Sequence, residues 1–174
     1  MPRVTKVHKT RKDQGTCPKC GAPIAIDAAY VWWQFKNCGR SIRCNKTECY
    51  PKPSELTRSE FLSTVLGLQE SSFQHSDNVT MEDIETERDD VQSALEDLAS
   101  ELQEKHDNMP EGLQEGDTGQ LLQERADSVQ EAADALESVD CTYDNEEEMT
   151  DEQKQEKCEE VLTELQDALS GISC

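Results

Sequence analysis

The chain has 174 residues, 38 Asp and Glu against 17 Lys and Arg, and a net charge of -21, with aromatic side chains making up only 5%. That length allows one domain or two small ones, and so few aromatics disfavour the deep core that shapes the pocket of a large enzyme. No window holds about 18 consecutive apolar residues, and the basic N-terminus lacks the apolar run of a secretory signal, so a soluble cytoplasmic protein is expected.

The charge is divided. Residues 1–60 carry 12 Lys and Arg against 5 acids (+7), and residues 61–174 carry 5 against 33 (-28). The aromatics follow the same division, with Tyr143 alone beyond Phe73. A head with a small aromatic core is expected, followed by a tail held by aliphatic helix seams.

At the start, Arg3, Lys6, Lys9, Arg11 and Lys12, with His8, show no apolar periodicity. Residues 1–14 are therefore expected to be a flexible basic arm, suited to phosphate backbones or to folding back on the acidic tail.

Five cysteines follow within residues 17–49: Cys17-Pro18-Lys19-Cys20-Gly21, then Cys38, Cys44 and Cys49. A Cys-x2-Cys before glycine turns two thiolates toward one metal, and a second pair completes a closed structural Zn2+ site. A disulfide framework is disfavoured without a secretion signal, and a thioredoxin-like pair without a βαβ pattern. Residues 29–35 are rich in β-formers, and residues 40–44 can pair back on them across Lys36-Asn37-Cys38-Gly39. Cys38 then lies at the hairpin tip, roughly 20 Å along the strand from Cys44, whereas two ligands of one zinc need sulfurs within about 4 Å. The predicted ligands are Cys17, Cys20, Cys44 and Cys49. A site with Cys38 and without Cys49 would require that the hairpin not form.

Along the first strand Val31, Trp33 and Phe35 alternate with Tyr30, Trp32 and Gln34. The first set is expected to face the core. Tyr30 and Trp32 would then face outward near Arg40 and Arg43, an interleaving of aromatics and cations used to bind single-stranded nucleic acid. It equally suits a cation-π pair.

Thr57-Arg58-Ser59-Glu60 reads as a capping box opening a helix to about residue 69, docked on the zinc module to complete a domain of residues 15–70. Polar residues 71–79 read as a linker. Thr80 and Asp83 cap a second helix to about His106, whose seam is Ile84, Val91, Leu95, Leu98 and Leu102, with Arg88 at a skipped core position. A break at Met109-Pro110-Glu111-Gly112 precedes a third seam of Leu122, Ala126, Val129, Ala133 and Leu136. Thr150 and Gln153 cap a last helix carrying Cys158, Leu162, Leu165, Leu169 and Ile172. The expected fold is a small zinc-stabilised β-hairpin module plus an all-α part, residues 80–174, forming an acidic three-helix antiparallel coiled bundle, closed within the chain or across a homo-oligomer.

Catalytic chemistry is missing from the pattern. None of His8, His75 and His106 stands in a nucleophile motif, and there is no phosphate loop or His-Glu-x-x-His. Residues 140–151 suggest a calcium loop but lack its sixth-position glycine and terminal Glu.

The motifs Cys17-x2-Cys20-Gly21, Tyr30-Val31-Trp32-Trp33-Gln34-Phe35-Lys36, Arg43-Cys44 and Pro51-Lys52-Pro53-Ser54-Glu55-Leu56, continuing to Leu62, resemble small zinc-finger proteins of tailed bacteriophages with acidic coiled tails. The resemblance covers about the first 70 residues. It implies a treble-clef or ribbon-like zinc module and, for a phage-encoded chain, a host cytoplasm, but no activity. The expected function is a non-enzymatic adaptor. Its head would contact nucleic acid or a ribonucleoprotein through Arg3, Lys6, Lys9, Arg11, Lys12, Tyr30, Trp32, Arg40 and Arg43, and its tail a protein or a second copy. The alternatives are an acidic imitator of nucleic acid that blocks a basic host protein, and a structural coil or virion component.

Overall fold

A computed structural model describes residues 1–75, 79–143 and 149–172. The chain divides into two compact units, Met1–Thr64 and Val65–Cys174.

The first unit is built on a three-stranded antiparallel sheet in the order β1 (Thr5–Val7), β2 (Tyr30–Gln34), β3 (Arg40–Cys44). β2 and β3 form the predicted hairpin, with Tyr30 opposite Cys44, Trp32 opposite Ile42 and Gln34 opposite Arg40. The turn places Asn37 at φ +64, a conformation its short polar side chain tolerates.

The expected flexible arm is not one. Thr5, Lys6 and Val7 pair with Trp32, Val31 and Tyr30, and the chain stays tied beyond the strand. Thr10 N–H donates to Ala28 O at 3.0 Å, Asp27 N–H to Thr10 O at 2.9 Å and Gln14 N–H to Ile24 O at 3.0 Å. Thr10 is buried, its hydroxyl donating to Lys12 O at 2.6 Å. Main-chain pairing needs no apolar periodicity, and a strand of three residues is too short to show one.

The assignment of faces also changes. Val31 and Trp33 are buried as expected, but Tyr30 on the opposite face is buried too. It packs with Cys17, Ile24, Cys44 and Cys49, and Val7, Ala28, Trp32 and Ile42 close around them. Both faces of β2 therefore carry buried side chains, Val31 and Trp33 on one and Tyr30, under the cysteine-bearing loop, on the other.

Helix α1 (Glu60–Ser71) begins two residues later than a Thr57 cap would set it. Thr57 is extended (φ -121, ψ 158). Its hydroxyl accepts from Ser59 N–H at 3.1 Å, and Ser59 Oγ instead takes the Leu62 N–H at 3.4 Å. The preceding 3-10 turn Pro53–Leu56 is held by Glu55, and Thr57, which ends that turn, stays extended. The division between the units falls within α1.

The second unit is helical: α2 (Met81–Asp107), a single turn α3 (Glu111–Gln114), α4 (Asp117–Ser138) and α5 (Asp151–Ser170). Thr80 and Thr150 cap α2 and α5 through reciprocal bonds with Asp83 and Gln153. Ile84, Val91, Leu95, Leu98 and Leu102 are buried on α2, Ala126, Val129, Ala133 and Leu136 on α4, and Cys158, Leu162, Leu165 and Leu169 on α5. Val161 and Ala132 widen these seams beyond the predicted heptad positions. α2 packs chiefly on α4, and α5 touches both. Arg88, at the skipped core position, donates to Val139 O at 3.1 Å and so closes the C-terminus of α4. Gly119 lies against the preceding turn, where an added Cβ would stand 2.0 Å from Gln114 O.

The expected linker is structured in its described part. Ser71 ends α1, and Phe73 is 1% exposed at φ +58. Its N–H donates to Glu87 Oε1 at 3.1 Å and its carbonyl accepts from Gln166 Nε2 at 2.6 Å, while the His75 ring meets the other Glu87 oxygen. Residues 76–78, and 144–148 of the suggested calcium loop, lie outside the described residues.

Candidate metal centre

Two turns bring four cysteines together. In the first, Gly21 at φ +69 lets its N–H reach Cys17 O at 2.8 Å, while Cys17 N–H donates to Ala22 O at 2.8 Å. That folds Cys17 and Cys20 to the same side, and a side chain at Gly21 would strain the backbone. The second combines the end of β3 with the 3-10 turn Thr47–Cys49, where Cys49 N–H donates to Lys46 O at 3.0 Å.

The sulfurs of Cys17, Cys20, Cys44 and Cys49 all lie within 4.8 Å of one another. Cys20 and Cys44 are 3.6 Å apart, against about 3.8 Å for two thiolates at tetrahedral positions around a metal with bonds of about 2.3 Å. The set can hold a metal ion. Cys38 is exposed at the hairpin tip, away from this group, and Gln34 Nε2 donates to its carbonyl at 2.7 Å.

The electrostatics of the four thiols are unequal. Burial works to raise Cys17, yet the main-chain N–H groups of Cys44, Cys20 and Lys19 hold it down to about 6. Burial raises Cys44, and Cys49 is pushed up to about 12 by burial and then by the neighbouring thiols. Four sulfurs at this spacing repel one another when ionised, and a cation among them removes that conflict.

Arg43 supports the centre from the other face of β3. Its guanidinium forms two parallel bonds with Glu55, 2.8 and 2.6 Å long, and lies 5.1 Å from the Trp33 ring centroid. The Glu55 bond chiefly raises Arg43 above its ordinary value, against the opposing effect of burial, with smaller contributions from Cys17 and Cys49. Glu55 is held down to about 2, with Arg43 the main cause.

The residues expected to meet nucleic acid are not all brought to one surface. Tyr30 is buried beneath the cysteine loop, and Arg43 is committed to Glu55, its side chain 15% exposed. Both leave the predicted set, because the pleat turns Tyr30 toward the cysteines and Arg43 to the Trp33 side. Trp32 is half-buried, and the guanidinium of exposed Arg40 stacks 4.0 Å from its ring centroid, so that ring already carries a cation. Arg3, Lys6, Lys9, Arg11 and Lys12 are exposed.

Sequence reasoning missed Glu55 and Thr10. The run Val4-Thr5-Lys6-Val7, β-branched at three of four positions, was the available sign of β1. No protein family, curated protein or solved structure matches this chain. The resemblance to phage zinc-finger proteins therefore stands on its motifs alone.

Proposed function

We propose that this chain is a non-enzymatic zinc-binding adaptor whose head contacts nucleic acid or a ribonucleoprotein. Four thiolates in a closed tetrahedral set favour zinc among divalent ions, since zinc accepts all-sulfur ligation and brings no redox chemistry of its own. The metal would be structural, because all four positions are filled by protein. A reducing cytoplasm fits a chain with free cysteines in both units.

The observation that carries the nucleic-acid reading is the set of exposed cations Arg3, Lys6, Lys9, Arg11 and Lys12, attached to a paired strand and a hydrogen-bonded loop. Cations carried by ordered backbone lose less entropy on meeting a phosphate row than those of a free arm. Arg40 on Trp32 adds a planar cation at the hairpin. The test is anisotropy of labelled single- and double-stranded oligonucleotides titrated with the full chain at two salt concentrations. Binding should weaken steeply with salt and fall in a Lys6→Glu, Lys9→Glu, Arg11→Glu variant. No binding at low salt would sink the reading.

A second reading has its own support. On the exposed helix faces Gln92, Gln103, Gln123 and Gln130 each donate to the carboxylate four residues on, Glu96, Asp107, Asp127 and Asp134. Amide donors fix these carboxylates without neutralising them, so the second unit, read as an antiparallel three-helix bundle, would present a rigid anionic surface to a basic protein or to a second copy. Capture of a nuclease-treated protein partner that is lost on neutralising these four acids favours this reading over the first.

A further inference from the structure

The four cysteines are chemically equivalent as ligands but not in their access to solvent. Cys17 and Cys49 are 1% exposed and Cys44 is 8% exposed, whereas Cys20, on the open turn after Pro18 and Lys19, is exposed. The sulfur of Cys20 lies 3.6 Å from that of Cys44. A small oxidant arriving from water therefore meets one ligand sulfur first, and a second thiolate is already beside it.

We propose that Cys20 is an oxidative modification site, at which hydrogen peroxide converts Cys20 and Cys44 into a disulfide and ejects the metal. The proposal rests on the zinc reading above. In the first step the Cys20 thiolate attacks peroxide; the S–O bond forms, the O–O bond breaks, and the departing hydroxide takes a proton. Cys44 then attacks the Cys20 sulfur, forming the S–S bond and expelling hydroxide, which takes a second proton. Two thiolates lose two electrons, and peroxide is reduced to two waters. Zn2+ is left with Cys17 and Cys49 alone and dissociates. Closing the disulfide requires the sulfurs to approach to about 2.0 Å. Cys20 can make that movement because its turn belongs to no strand of the sheet. Cys44 is fixed by its pairing with Tyr30.

The consequence is a head that disassembles under peroxide and recovers on reduction. Cys44 ends β3 and Cys20 belongs to the loop covering Tyr30, so metal loss frees that loop and opens the Tyr30 face.

The test uses the full chain carrying Cys38→Ser and Cys174→Ser, which removes the other exposed thiol among the described residues and the C-terminal one. Zinc per chain is measured first, then zinc release against a chromogenic chelator during peroxide addition, with disulfides mapped by peptide mass spectrometry. The expected result is one zinc released per disulfide, a Cys20–Cys44 linked peptide, and recovery with dithiothreitol and zinc. A Cys20→His variant, which keeps four ligands, should hold zinc and release it at least about tenfold more slowly. Absence of zinc at the outset overturns the metal reading and this proposal with it. Zinc present at the outset but retained under peroxide, or released with a disulfide that omits Cys20 or Cys44, overturns this proposal alone.

Discussion

Arg43 and Glu55 are joined by two parallel hydrogen bonds on the side of β3 opposite the cysteines, so one ion pair connects the strand that ends in Cys44 to the turn that precedes α1. Glu55 also accepts from Lys52 N–H at 3.0 Å, so one carboxylate holds its own turn closed and ties it to the sheet. Glu55→Gln should lower the stability of the first unit by about 1–2 kcal/mol, toward the lower figure because the carboxylate is one third exposed. The folded carboxyl is held at about 2 against an ordinary 4.5. Its contribution is therefore complete above about 4.5 and lost as pH falls toward 2. Both tryptophans of the chain lie in this unit, so denaturation followed by tryptophan fluorescence should give a gap between wild type and variant that is constant from pH 8 to 5.

Metal binding should depend steeply on pH. Cys44 and Cys49 lie above the ordinary thiol value while Cys17 lies near 6, so at pH 7 at least two thiols must lose protons as the ion enters. Affinity should rise about 100-fold or more from pH 7 to 8 and fall correspondingly toward pH 6. Calorimetry in buffers of different ionisation enthalpy counts the released protons; a count near zero would contradict the assigned protonation.

Cys38→Ser should leave one metal ion per chain, and Cys44→Ser should abolish binding, because only the second removes a sulfur from the cluster. Chelation of the wild type should shift tryptophan emission to the red as the Tyr30 and Trp32 face opens, while the far-ultraviolet helical signal persists. A small module that depends on a metal loses its fold with it, whereas the seams of the second unit contain no ligand. Retention of metal by Cys44→Ser would require reassignment of the ligands.

Gly119→Ala reverses the usual helix rule. Alanine normally favours a helix over glycine by about 1 kcal/mol, but here its Cβ would meet Gln114 O at 2.0 Å. The substitution should destabilise the second unit by about 1–3 kcal/mol through displacement of the turn before α4. Thermal unfolding by circular dichroism reads the sign directly.

Phe73→Ala should cost the second unit about 3–5 kcal/mol, the range for truncating a buried aromatic. Phe73 is 1% exposed, and its main chain bonds Glu87 on α2 and Gln166 on α5. A loss below about 1 kcal/mol would mean that these polar bonds, and not the ring, hold the segment.

What the sequence disclosed depended on how each constraint is written into it. The hairpin and the four cysteines were legible because Cys-x2-Cys-Gly and a six-residue separation between Cys38 and Cys44 are local, and geometry then excludes Cys38. The helix starts at Thr80 and Thr150 were legible for the same reason. β1 was not, since a three-residue strand paired through main chain leaves only the β-branched run Val4-Thr5-Lys6-Val7 as its sign, set among charged residues. The burial of Tyr30 was hidden because alternation predicts two faces but cannot say that a cysteine loop covers the second. Phe73 looked like part of a polar linker because its polar neighbours outvoted one aromatic. Arg43 was misread because its partner Glu55 lies twelve residues further along the chain.

The pairing of Thr5–Val7 with β2 has a consequence for synthesis and handling. The strand leaves the ribosome before its partner, which follows more than twenty residues later, so the nascent head carries an unsatisfied strand until the hairpin emerges. Trimming the first nine residues, a natural choice if they are taken for a loose tail, would convert β2 from a central strand into an edge. The bare N–H and C=O groups of Tyr30 to Trp32 would then invite another chain to supply the missing strand, and a truncated head would be expected to associate through that edge.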